Sequence, residues 1–200
     1  MAQTVILNNQ DQSETTGWKK TVGENSMSKQ WTFKLEDLPN YSEFVALYEQ
    51  YRIMAIKQEY YFSDNVSGSV SDGTHVNSAN KQIIMMSTPN AIANTHTLNE
   101  NYFMQSQCAK KRLCLNTTGY PVKVYNKVKQ LSRIFSAEDG NADFIKVTPK
   151  FISTNEAKAL HYGVDMRLAR VDGELFSYGG NNYPSVKIIT KFYLQFRQVK

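Results

Sequence analysis

The chain has 200 residues, of which 41% are apolar and 20% charged, and its formal net charge is +5. A chain of this size and composition can bury a core without disulfides or a structural metal, which excludes intrinsic disorder and small disulfide-rich scaffolds. The longest apolar run, residues 83–86, is far shorter than the ~20 residues that span a bilayer. The first residues show no secretory signal pattern. We therefore expect one domain over residues 1–200 and no membrane partner.

Apolar and polar residues alternate repeatedly along the chain, as is typical of half-buried strands. The opening residues 4–7 fit a short strand. Further alternation predicts strands at residues 30–35, 53–62, 82–86, 122–128 and 162–169. The clearest pattern comes last. One of its faces would carry Val186, Ile188, Thr190, Phe192, Leu194 and Phe196, and the other Lys187, Ile189, Lys191, Tyr193, Gln195 and Arg197.

Two short helices have start signals. Asn40 followed by Glu43 resembles a capping box, and it would place Tyr41, Phe44, Tyr48 and Tyr51 on one helical face. Thr97 followed by Glu100 gives a second capping-box-like start for a short helix. Strands dominate and do not alternate with long helices. The sequence therefore predicts an all-β fold, an antiparallel sandwich or jelly roll, with one or two short helices.

Motifs for catalysis, cofactors and metals are missing from the sequence. There is no dinucleotide fingerprint, P-loop, nucleophile elbow or zinc-protease motif. Cys108 and Cys114 lack metal-site spacing, and the histidines are scattered singly. The carboxylate pairs Glu36/Asp37 and Glu138/Asp139 are typical of exposed turns. We predict no catalytic residue, no metal and no cofactor, and we interpret His161 as structural, with a catalytic base as the alternative.

Charge is distributed unevenly along the chain. Residues 1–100 carry 7 basic and 11 acidic groups, whereas residues 101–200 carry 16 and 7. Residues 110–133 hold seven basic groups and no acid, which makes a polyanion the first partner to consider. The alternative is a solvated face on which neighbouring strands supply the compensating acids.

The candidate nucleic-acid-binding residues follow from the alternation. Lys123, Lys127 and Lys129 share the polar face of one predicted strand with Tyr125, and Arg133 follows in the same basic block. Cations interleaved with tyrosines can contact phosphates while the rings stack on bases. A charged edge that prevents aggregation would have the same pattern. The last strand adds a second such set with Tyr193, namely Lys187, Lys191 and Arg197.

Three blocks of sequence resemble a known family. Residues 30–62 read QWTFKLEDLPNYSEFVALYEQYRIMAIKQEYYF, a tryptophan strand, a Leu-Pro-Asn-Tyr turn into a short helix, and a long strand. Residues 161–170 and 186–200 read HYGVDMRLAR and VKIITKFYLQFRQVK. Together they resemble the capsid proteins of small circular single-stranded DNA viruses that encode a replication initiator, the circoviruses and cycloviruses.

This resemblance implies a viral jelly roll of two four-stranded sheets. Residues 30–35 would be its first strand and 51–62 its second, with 160–170 and 185–198 as the last pair. Sixty copies of such a subunit would close a T=1 icosahedral shell around circular single-stranded DNA. The resemblance thus implies self-association as the partner interaction, and location in the virion.

One departure concerns the amino-terminal segment, residues 1–28. Family members usually open with an arginine-rich arm that binds the genome and often directs nuclear import, whereas this segment has Lys19 and Lys20 as its only basic residues. We therefore expect weak binding of single-stranded DNA, through the inner wall if at all, and the host nucleus stays an open site of assembly. The alternatives are the coat of a small RNA or satellite virus, a monomeric jelly-roll module that binds carbohydrate or nucleic acid, and an enzyme.

Overall fold

The structure is a computed structural model that describes residues 1–8, 10–12, 14–63, 82–90, 97–114, 120–128, 130–135, 143–148, 150–176 and 183–200. Within these ranges the strands are β1 (Ala2–Ile6), β2 (Lys19–Lys20), β3 (Ser26–Phe33), β4 (Tyr48–Ser63), β5 (Ile83–Pro89), β6 (Lys110–Cys114), β7 (Val122–Asn126), β8 (Gln130–Phe135), β9 (Asp143–Thr148), β10 (Ile152–Ser153), β11 (His161–Arg170) and β12 (Ser185–Val199). The helices are α1 (Tyr41–Leu47) and α2 (Glu100–Gln105), with 3-10 turns at Leu35–Asp37 and Thr154–Glu156.

The strands form two five-stranded antiparallel sheets. In the first sheet, β12 lies between β1 and β4, and the other edge of β4 pairs with β7 and β10. The second sheet has the order β2-β3-β11-β5-β6, and β8 pairs with β9 as a separate ribbon. Each five-stranded sheet contains four longer strands and one two-residue edge strand, β10 or β2. The predicted fold class, a jelly roll with short helices, is confirmed.

The position of the first strand corrects one expectation. β1 pairs residue by residue with β12, from Ala2 opposite Ile189 to Ile6 opposite Ser185. A jelly roll places its first strand beside its last, so β1 takes that place and β3 is the second strand. The assignments of residues 30–35 as the first strand and of 51–62 as the second are therefore wrong, because β4 becomes the third. The short opening strand is confirmed as β1, although it ends at Ile6, and Val5 within it and Leu7 after it are completely buried in the core.

Aromatic side chains join the two sheets. The ring of Trp31 meets that of Trp18 edge-on at 6.4 Å and stacks on Phe33 at 6.0 Å. Phe33 of the second sheet then meets Phe192 of the first sheet edge-on at 5.9 Å. Contacts of this kind add stability beyond the burial of apolar area. They also remove both tryptophans from solvent, since Trp18 is 0% and Trp31 7% exposed.

Both expected short helices are present, but their caps and the end of α1 differ from the prediction. The side chain of Asn40 precedes α1 without making a capping hydrogen bond. α1 ends at Leu47, so Tyr48 and Tyr51 belong to β4 and not to the predicted helical face. Tyr48 stacks instead, like Phe44, on Phe196 at 4.9 Å. α2 is capped by Asn99 and not by Thr97. The side-chain oxygen of Asn99 accepts the amide hydrogen of Tyr102 at 2.9 Å, because only the residue directly before the first turn can reach that amide.

Candidate nucleic-acid interface

The outward surface of the first sheet carries most of the predicted cations. Along β12, side chains alternate between the core and solvent, and the outward set begins with Lys187 and Lys191. Because residues paired across antiparallel strands share a face, the register extends this set onto β4 and β7. We call this surface the basic face. Its charged and aromatic members are Arg52, Lys57, Glu59, Tyr61, Lys123, Tyr125, Lys187, Lys191, Tyr193 and Arg197.

The register arranges these side chains in rows across the strands. One row runs from Lys191 through Lys57 to Tyr125, and the next runs from Ile189 through Glu59 to Lys123. Successive outward rows are about 6.6 Å apart, since each residue of a strand advances about 3.3 Å. Cations therefore recur at regular steps along the sheet, which suits an extended polyanion.

Glu59 lies among these cations. Its Oε1 is 2.8 Å from the Nζ of Lys57, and its Oε2 is 3.2 Å from the Nζ of Lys191. These two lysines lower the pKa of the Glu59 carboxyl, chiefly through the hydrogen bond from Lys57, and the same bond raises the pKa of Lys57. Glu59 is a compensating acid of the kind expected if the basic residues formed a solvated face.

Two tyrosines stand exposed beside the lysines. Tyr125 and Tyr193 are 61% and 45% exposed, and their ring centroids lie 6.1 Å apart at an interplanar angle of 62°. Aromatic rings presented next to cations provide stacking surfaces for unpaired bases. The basic face therefore combines the two elements that a single-stranded nucleic acid requires.

The far end of the basic face carries arginines instead of lysines. The guanidinium carbons of Arg52 and Arg197 lie 4.7 and 4.2 Å from the centroid of the Phe151 ring. Each guanidinium also donates a hydrogen bond of 2.6 Å to a glutamine side chain, Arg52 to Gln195 and Arg197 to Gln50. These contacts fix the arginines in place, about ten residues along β12 from Lys187.

The predicted site residues do not all share one surface. Lys123, Lys187 and Lys191 share the basic face with both tyrosines, and Arg197 lies at its far end. Lys127 is exposed but follows the end of β7, so the predicted strand over 122–128 is too long. Lys129 lies outside the described residues, and Arg133 belongs to β8, which pairs with β9 and not with β4.

Two cations and one acid of the basic face were missed by sequence reasoning. Arg52, Lys57 and Glu59 lie on β4, whose alternation was recognised. Their outward placement beside β12 depends on the register of the β4–β12 pair, which alternation within one strand does not specify.

The other candidate sites are structural. His161 is 1% exposed, its Nδ1 lies 3.1 Å from the carbonyl oxygen of Ala159, and burial lowers its pKa. Cys108 and Cys114 are free thiols. Asp37 accepts a hydrogen bond from the Lys34 amide at 2.8 Å, while Glu138/Asp139 lies outside the described residues. Across the described ranges, His, Cys, Asp and Glu side chains form no cluster of three suited to a metal ion.

Comparisons with known proteins agree with this fold. A family described as circovirus capsid protein matches residues 2–200. A crystal structure of the 60-mer BFDV capsid protein, from a circovirus, is similar with a TM-score of 0.60 and 17% sequence identity, covering 99% of this chain and 90% of that one. A crystal structure of the decameric BFDV capsid protein gives 0.51 and 18%, covering 99% and 95%.

At such identities the two crystal structures show a shared fold. None of the curated proteins matches the chain. Neither helix in the described part of the chain is long and apolar enough to cross a membrane. The family match covers nearly the whole sequence, and the strand order is that of a jelly roll. This chain belongs to the circovirus capsid protein family, and its role is that of a structural protein of the virion.

Proposed function

We propose that sixty copies of this chain, as the major capsid protein, close a T=1 icosahedral shell around a circular single-stranded DNA genome. The observation that carries the proposal is the family match over residues 2–200. The 60-mer of the similar BFDV capsid protein supports the stoichiometry. We further propose that residues 1–200 act as one domain, which the pairing of β1 with β12 supports.

The basic face is the inner, nucleic-acid-binding wall of this proposed shell. Lys123 and Lys187 are exposed there, and within the described residues they make no ion pair, so they are available to phosphates. Tyr125 and Tyr193 supply stacking surfaces beside them. The outward side of the second sheet is less suited, because its central cation, Arg167, is 5% exposed and already pairs with Glu24 and Glu100.

Among the alternatives, a carbohydrate-binding module would need tryptophan and tyrosine rings around a pocket open to solvent. Both tryptophans of the chain are buried, which disfavours that function. The alternative of an enzyme depends on His161 as the catalytic base. His161 is buried, and its Nδ1 lies within hydrogen-bond distance of the Ala159 carbonyl oxygen, which supports a structural role. We therefore propose a purely structural protein without a catalytic step.

Sedimentation velocity at 260 and 280 nm tests the assembly. Sixty copies of 22.9 kDa give a species of about 1.4 MDa, and its absorbance ratio reports enclosed nucleic acid. A 22.9 kDa species that persists at every salt concentration and pH contradicts the shell and favours a monomeric binding module.

A triple variant tests the basic face. K123Q/K187Q/K191Q should lower the nucleic acid carried by purified particles and flatten the salt dependence of oligonucleotide binding, because each lost phosphate contact removes about 0.7 from the slope of log K against log salt. K19Q/K20Q/K158Q changes three exposed lysines elsewhere and serves as the matched control. Equal nucleic-acid content in the two variants contradicts the proposed interface.

A further inference from the structure

We propose that Glu59 is a built-in counterion of the basic face, which holds Lys57 and Lys191 until phosphates of single-stranded nucleic acid replace it, and which thereby keeps binding weak and reversible. This inference rests on the proposed function of the basic face. It assigns a role to an acid that, in a simple phosphate-binding surface, would only oppose the ligand.

The position of Glu59 is unusual for a carboxylate on the solvent side of a sheet. It is 6% exposed although it points away from the core. Its cover includes the long side chains of Lys57 and Lys191, which are themselves 26% and 52% exposed. Because flexible lysines can turn away at low cost, this cover can open without any change in the sheet.

Each carboxylate oxygen of Glu59 engages a different lysine. Oε1 lies 2.8 Å from the Nζ of Lys57, and Oε2 lies 3.2 Å from the Nζ of Lys191. The two ammonium groups therefore share one negative charge, and Glu59 itself lies directly opposite Lys123 of β7. The basic face thus has two kinds of lysine: Lys123 and Lys187, exposed and without an ion pair to any described residue, and Lys57 and Lys191, which already have a counterion.

This division sets how the face responds to a polyanion. The unpaired lysines attract phosphates first and release bound salt ions as they do so. A phosphate that then reaches Lys57 or Lys191 must displace Glu59, and the displaced carboxylate stays nearby and repels it. Lys57 and Lys191, which are paired with Glu59, therefore contribute less to binding affinity and to its salt dependence than two unpaired lysines would.

The decisive variant is Glu59→Gln, which keeps the shape of the side chain and removes its charge. We expect the full-length E59Q chain to bind a 20-nucleotide oligothymidylate more tightly than wild type at low salt. With two more lysines available, the slope of log K against log salt should steepen by about 1.4. The advantage of E59Q should then shrink about sevenfold between 50 and 200 mM salt.

Glu174→Gln provides the matched control, since it makes the same change in net charge at an exposed site between β11 and β12. A double-mutant cycle isolates the proposed competition: E59Q should strengthen binding less in a K57Q/K191Q background than in wild type, because only the repulsion by the carboxylate is then left to remove. If E59Q melts well below wild type, Glu59→Thr replaces it, because a β-branched residue suits a strand and is equally uncharged.

The outcomes separate the two proposals. If E59Q binds no more tightly than E174Q while K123Q/K187Q/K191Q weakens binding, the counterion role is overturned and the nucleic-acid interface stands. If the triple-lysine variant binds as wild type does, the interface itself is wrong and the inference falls with it. A gain from E59Q that is equally large in the K57Q/K191Q background also overturns the inference, because it shows a general charge effect.

Discussion

Arg167 and Glu24 form an ion pair although 143 residues separate them in the sequence. The Nη2 of Arg167 lies 2.8 Å from Oε2 of Glu24, and its Nε donates to the same oxygen at 2.9 Å. The amide of Glu100, at the start of α2, donates to the other Glu24 oxygen at 2.9 Å. This network connects the turn before β3 with β11 and α2. Arg167, on the outward side of the second sheet, therefore has a structural role.

Removing the arginine should therefore destabilise the protein. Arg167→Met leaves Glu24 without its buried partner, and we expect a loss of about 3 kcal/mol in the free energy of unfolding. Urea denaturation measures this loss. Lys158→Met, at an exposed position, is the control and should change stability by less than about 0.5 kcal/mol. Equal stability of the two variants contradicts a structural role for the pair.

The same network predicts a dependence on acid. Burial acts to raise the pKa of Glu24, but the amide of Glu100 and the guanidinium of Arg167 together hold it below its ordinary value of 4.5. A lowered pKa stabilises the fold above the unfolded value, and that stabilisation is lost as the pH falls through the folded value. The stability difference between wild type and Glu24→Gln should be constant near neutral pH and shrink as the pH falls below the ordinary value of 4.5. A difference that does not change between pH 7 and pH 3 contradicts this.

The strands were largely predictable because alternation directly reports which residues face the core. β11 and β12 lie within a residue or two of the predicted 160–170 and 185–198. Which strands pair with each other was harder to predict from the sequence. The role of β1 as the first jelly-roll strand depends on Val5 and Leu7 reaching a core built by residues far along the chain. A two-residue apolar pattern does not specify such a partner.

The candidate site shows the same limit. Alternation alone placed Lys187 and Lys191 on one face of β12. It could not bring Lys123 to that face or reveal Glu59 between them, because both depend on the registers of β4 with β12 and β7. Arg133 lies off the basic face for a related reason. Its basic block looks continuous in sequence, but the chain leaves the first sheet after β7 and forms the separate β8–β9 ribbon.

Close packing makes Gly163 sensitive to a single methyl group. It lies at the irregularity between β11 and β3, where an added Cβ would come within 2.6 Å of the Phe33 ring and 3.2 Å of the Asn126 side-chain nitrogen. We expect Gly163→Ala to cost about 1–3 kcal/mol in unfolding free energy through overpacking. The double variant G163A/F33L should lose less than the sum of its single changes, because the smaller leucine leaves room. Additive losses contradict a direct clash.

The two cysteines should differ sharply in reactivity. Cys108 is exposed, whereas Cys114 is buried and burial raises the pKa of its thiol to about 12. Since the thiolate is the reacting species, a disulfide reagent at pH 8 should modify one thiol of the native subunit quickly and the second only in denaturant. Cys108→Ser should abolish the fast reaction. Fast modification of both thiols in the native subunit contradicts the burial of Cys114.

Lys29 should make stability rise in mildly alkaline solution. Its Nζ donates to the carbonyl of Thr16 at 2.6 Å and lies 3.6 Å from the centroid of the Trp31 ring. Burial lowers its pKa to about 8 against the opposing effect of Asp37, from an ordinary value of 10.5. Between these two values the unfolded chain binds more protons than the folded one, so the free energy of unfolding increases with pH.

Comparison with Lys29→Met isolates this effect, because tyrosines that titrate in the same range affect both proteins alike. The stability of wild type minus that of K29M should increase from pH 8 to pH 10.5, measured by urea denaturation at each pH. Lys19→Met, at an exposed position in β2, is the control for the loss of one positive charge. A constant difference for K29M would mean that Lys29 keeps its proton at the ordinary pKa, and that the contacts with Thr16 and Trp31 fully offset the cost of its burial.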